Sequence, residues 1–91
     1  MIKVVKVTEL KPVDGRALWL RFSDGREGLR DCADILALDG EMVAPLRDPT
    51  MFSRAFLSMG VPTWPNGFDL DPINLHAEML AAGSLKRASA A

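Results

Sequence analysis

Two carboxylates and an imidazole fall within eight residues of one another: Asp69, Asp71 and His76. Residues of these types, brought together, could ligate a divalent metal or share a proton in acid–base chemistry, and Asp31 could join them. Each also has a plainer explanation. Asp71 precedes Pro72, the pairing expected of a helix N-cap followed by a proline whose missing N–H the first turn does not need. Asp69 can fold back onto the amides of its own loop. His76 falls in the middle of the helix that Asp71 would open, on neither clear edge of it. The plainer explanations leave no catalytic residue assigned, and no metal or cofactor is expected.

The same carboxylates end an unusual run, Trp64-Pro65-Asn66-Gly67-Phe68-Asp69-Leu70-Asp71-Pro72. Two prolines and an Asn-Gly turn dictate one backbone path. As a binding loop it would offer Trp64 as an anchor, with Asn66, Gly67, Asp69 and Asp71 around it. The competing reading makes Trp64 a core residue held by a rigid turn, because large aromatics mainly supply burial.

Other candidates are weaker. Arg21, Arg26 and Arg30, with Lys3 and Lys6, could form a basic stripe, but Glu9, Asp24 and Glu27 interrupt it and only Trp19 is placed to stack. A solvated face with cross-strand ion pairs is the expectation. Cys32 is the sole cysteine and His76 the sole histidine. A buried structural thiol is expected, and a disulfide within the chain is excluded. No nucleophile elbow, zinc-protease helix or phosphate loop occurs.

These residues need elements to hold them. Residues 2–10 alternate as a strand, with Ile2, Val4 and Leu10 on one face and Val5 and Val7 on the other. Pro12 and Asp14-Gly15 make a turn. Residues 17–22 form a cleaner strand, placing Leu18, Leu20 and Phe22 opposite Ala17, Trp19 and Arg21. Ser23-Asp24-Gly25 turns the chain into a third strand over 26–30, completing an antiparallel meander. A short helical turn follows Asp31. Asp48-Pro49 opens a helix over 49–54, strands are expected at 55–59 and 61–64, and Asp71-Pro72 opens a helix over 72–82. That last helix carries Ile73, Ala77 and Leu80 on one stripe, with Leu75 and Met79 beside it. Gly83 is a helix stop. The fold class is α+β: a three-stranded meander, further short strands and two helices packed at one side. Residues 1–83 form a single domain and 84–91 a disordered tail.

The chain has 91 residues, 48% of them hydrophobic and 25% charged, which suits one globular domain. Eleven basic and twelve acidic residues leave a net charge of −1. That lacks the basic excess of a nucleic-acid binder, so nucleic acid is not an expected partner. No segment has the length and hydrophobicity of a membrane span or a signal peptide, and a cytoplasmic protein is expected.

The Val-Val-Lys-Val strand at 4–7, Phe22-Ser23-Asp24-Gly25, Asp31, Leu46-Arg47-Asp48 ahead of Phe52, and the Trp64–Pro72 run together resemble the small bacterial family DUF2442, over roughly residues 2–80. The resemblance implies a small α+β domain and no established catalytic residues. Some relatives add a C-terminal helix-turn-helix that this chain is too short to hold, so DNA binding by that route does not carry over. By the same resemblance, relatives often look like one half of a two-gene unit with another small protein, which has prompted toxin–antitoxin suggestions. The expected function is therefore a non-enzymatic protein-interaction module that binds itself or a small partner protein, through an edge strand at 2–10 or 55–59. The alternative is a small metal-dependent or acid–base enzyme using Asp69, Asp71 and His76.

Overall fold

The alternation in β2 (Ala17–Phe22) organises the molecule: Leu18, Leu20 and Phe22 are buried on one face of the sheet. The computed structural model describes residues 5–87. The strand β1 (Val7–Val13) lies antiparallel on one side of β2 and β3 (Arg26–Asp31) on the other. After β3 come two short helices, α1 (Ala33–Leu36) and α2 (Pro49–Phe52), separated by a 3-10 turn at Ala44–Arg47. A separate hairpin of β4 (Phe56–Ser58) and β5 (Val61–Thr63) leads to α3 (Pro72–Ala81) and a two-residue strand, β6 (Lys86–Arg87). The larger sheet has the order β1-β2-β3-β6. The α+β class and the meander are as expected, with three short or medium helices rather than two.

The first strand differs from expectation in phase and extent. It starts at Val7, and residues 2–4 lie outside the described residues. It runs through Pro12, which an edge strand tolerates, and turns at Asp14-Gly15, both with positive φ (54° and 69°). A register shift between Val7 and Glu9 breaks strict alternation. Val7 and Leu10, on opposite faces by simple alternation, both reach the core as a result.

Both Asp-Pro helix starts behave as capping chemistry predicts. The Asp48 carboxylate accepts from the Thr50 amide at 2.9 Å, and Asp71 accepts from Ile73 at 3.0 Å. Asp71→Ala is expected to cost about 1 kcal/mol, with Asp71→Asn close to wild type in a thermal melt. At the far end of α3, the Gly83 amide donates to the Leu80 carbonyl and the Ser84 amide to Met79, the paired bonds of a Schellman stop.

The expected orientation of α3 needs correction. Pro72, Leu75 and Met79 face the core, whereas Ile73, Ala77 and Leu80 face solvent. The tail also differs: residues 86–87 pair with Glu27 and Arg26 of β3 instead of fraying, while 88–91 lie outside the described residues. Among the described residues, no helix is long and apolar enough to cross a membrane.

Candidate functional site

The fold disperses the carboxylate–imidazole cluster. His76 finds its partner elsewhere in the chain: its Nε2 lies 2.7 Å from Oδ2 of Asp24 in the β2–β3 turn. The imidazole also meets the Phe22 ring edge-on at 5.0 Å between centroids. Asp71 is occupied as the α3 cap. Asp69 is exposed, and its backbone bridges Thr63. Asp31 pairs with Arg16 at 3.3 Å and accepts from the Ala33 amide. Among the described residues, no three carboxylate, imidazole or thiol groups converge as a metal ion requires.

The Asp24–His76 contact ties the hairpin to α3. Partial burial opposes ionisation of Asp24, but the Arg26 amide, the His76 hydrogen bond and the nearby positive charges outweigh it and hold its carboxyl below the usual carboxylate range. The Arg30 guanidinium does the same to Asp34. A carboxyl that is more acidic when folded adds stability above its unfolded pKa, and that stability is lost as pH falls through the folded value. Melting temperature is therefore expected to fall on acidification through the carboxylate range. Asp24→Asn should flatten that slope; an unchanged slope would show that Asp24 contributes nothing to it.

Arg30 forms a second tie. Its side chain is 16% exposed, on the inner face of β3 opposite Leu18. It holds Asp34 of α1 through two bonds, at 2.9 and 3.0 Å, and Glu78 of α3 at 3.1 Å. This geometry joins sheet and helices and leaves the guanidinium few free donors. Cys32 beside it is buried, and burial pushes its thiol up to about 12, far from thiolate reactivity.

The Trp64–Pro72 run is a structural clasp. Trp64 is 1% exposed, and its indole N–H donates to the Phe52 carbonyl at 2.9 Å. Its ring packs between Phe52 and Phe68. The Gly67 amide closes the turn onto the Trp64 carbonyl, with Gly67 at φ +91°. Asn66 accepts from the Phe68 amide and donates to the Met42 carbonyl. Trp64 is thus no surface anchor, and Asn66 is engaged within the fold.

Among the described residues, no helix or second sheet packs on the outer face of the meander. Trp19 lies there beneath Lys11 and Arg21, whose charges are 5.2 and 5.4 Å from its ring. Arg21 reaches Glu9 at 3.6 Å and Glu27 at 3.3 Å, the cross-strand pairing expected of a solvated face. The basic stripe does not form as a unit, because Arg26 and Arg30 turn to the opposite face; Lys3 lies outside the described residues. Where β6 leaves the sheet, a groove of about 540 Å³ opens, lined by Trp19, Glu27, Leu29, Lys86 and Arg87 together with Gly28, Gly83 and Ser84. Sequence reading missed it. Trp19 and Leu29 share a face by alternation alone, but nothing local announces the two-residue β6 that makes the groove.

A family model described as a protein of unknown function (DUF2442) matches residues 7–79. No curated protein and no solved structure matches the chain significantly. The chain belongs to the DUF2442 family.

Proposed function

We propose that this DUF2442 member is a non-enzymatic protein-interaction module that receives a partner by strand addition. One observation carries the reading: among the described residues no further strand follows β1 at one end of the main sheet, and β3 pairs with β6 over two residues only, leaving the rest of that edge open. An open edge presents backbone donors and acceptors that another chain can complete. The potentially reactive side chains support this by default, since Asp24, Asp31, Asp71, His76 and Arg30 are engaged in caps and ion pairs.

The β1 edge is the less receptive of the two. Its Val7 amide is already taken by the Gly60 carbonyl, and the bulge and Pro12 interrupt a regular ladder. A partner in a cytoplasmic two-protein unit, or a second copy of the chain, fits the proposal. The test is light scattering on the purified protein, together with a tagged pull-down from native lysate of the source cell. A stable dimer or a stoichiometric small protein is the expected result. A strict monomer that captures nothing sinks the proposal.

A further inference from the structure

We infer that the groove beside Leu29 docks an extended acidic segment of another protein as an added strand on β3. The inference rests on the interaction-module reading and names the edge and the chemistry of the partner.

The backbone argument comes first. The Cys32 amide donates to the Arg16 carbonyl at 2.9 Å, which sets the phase of the β2–β3 ladder. By antiparallel alternation, Arg30 and Gly28 exchange bonds with Leu18 and Leu20, while the N–H and C=O of Glu27, Leu29 and Asp31 point away from β2. Glu27 faces Lys86 in β6, and the Asp31 carbonyl accepts from the Arg30 guanidinium. The N–H and C=O of Leu29 have no partner among the described residues. They open into the groove created where the chain drops from β6 to Ser84 and α3. The Leu29 side chain is 51% exposed at the same place, beside Trp19.

Charge then selects the occupant. The carboxylates of the outer face are already held: Glu9 and Glu27 by Arg21, and Asp31 by Arg16. Lys11, Lys86 and Arg87 have no carboxylate partner among the described residues, and against the one carboxylate charge that a single Arg21 leaves over between Glu9 and Glu27 they make the balance around the groove positive. An extended segment with alternating acidic and apolar side chains would meet these cations and cover Leu29, while its backbone pairs with that of Leu29. A second copy would bring Lys86 and Arg87 against their own kind. Nucleic acid is disfavoured because Lys11 and Arg21 already cover the Trp19 ring that a base would stack on.

The test is an NMR titration of the isotope-labelled chain with a short, end-capped, alternating Glu-Val peptide. Saturable shifts of the Leu29 amide and the Trp19 indole are expected, weakening as salt rises. The double variant Lys86→Glu/Arg87→Glu should bind about tenfold more weakly. Leu29→Pro removes the edge N–H and should abolish binding; should that variant fail to fold, Leu29→Glu, an exposed change, places a like charge against the peptide and should do the same. Absence of shifts, equal response to a Lys-Val peptide, tighter binding of an oligothymidylate, or shifts confined to Ile73, Ala77 and Leu80 would each overturn the inference. A dimer or captured partner that survives Leu29→Glu would likewise overturn it while leaving the interaction-module reading intact.

Discussion

Trp64→Ala is expected to remove a large share of the stability of this domain. The side chain is buried among Phe52 and Phe68, and its indole N–H donates to the Phe52 carbonyl. Truncating a buried tryptophan to alanine costs about 3–5 kcal/mol, through lost transfer energy and the cavity left behind. A domain of this length holds on the order of 5–13 kcal/mol in total. The melting temperature should fall by roughly 12–40 °C, at about 4–8 °C per kcal/mol for a domain of this size. Trp64→Phe keeps an aromatic in the site and should cost about 1–2 kcal/mol, because the Phe52 carbonyl still accepts from the Ala55 amide. The pair separates a core role from a surface one. A tryptophan used to grip a partner would lose binding on truncation and keep its melting temperature. An unchanged melt for Trp64→Ala would therefore refute the clasp.

Gly28→Ala is expected to be the most damaging of the small substitutions. Glycine in a strand interior is ordinarily a weakness, and alanine is the better residue by about 0.5–1 kcal/mol. Here the sign reverses. A Cβ on Gly28 would lie 2.1 Å from the Ser84 carbonyl oxygen, a backbone atom held in place by the Schellman stop of α3. Either β3 or the segment after α3 must move, and such overpacking costs about 1–3 kcal/mol. The specific consequence is loss of β6: pushing Ser84 away should unpair Lys86 from Glu27. Faster amide exchange at Lys86, with a lower melting temperature, is the expected result. Leu29→Ala provides the baseline at an exposed neighbour, where changes stay within about 0.5 kcal/mol. Equal melts for the two variants would show that Ser84 is free to yield.

The candidate site was legible only where its chemistry was local. Asp48 and Asp71 announce themselves because a cap acts on an amide two residues away. The hairpins at Asp14-Gly15 and Ser23-Asp24-Gly25 are legible for the same reason. His76 is the opposite case: its neighbours in the chain, Asp69 and Asp71, are not its partners, and Asp24 lies fifty-two residues away. The orientation of α3 failed for a related reason. Ile73, Ala77 and Leu80 make as good an apolar stripe as Leu75 and Met79, so periodicity alone could not say which faces the sheet.

The sequence by itself determined the α+β class, the meander, both capped helices and the single buried thiol, because these follow from alternation, turn residues and side chains acting within a few positions. Tertiary structure decided the rest. It decided that a bulge turns both Val7 and Leu10 inward, that Trp64 is core, that Arg30 ties three elements together and that Asp24 claims His76. It also decided that two residues after Gly83 return to the sheet and leave the Leu29 edge open. Each of these depends on which distant backbone comes close enough to pack or to exchange a hydrogen bond. Closing a long loop to form such a contact is settled by the free energy of the whole fold, and residue spacing along the chain does not encode it.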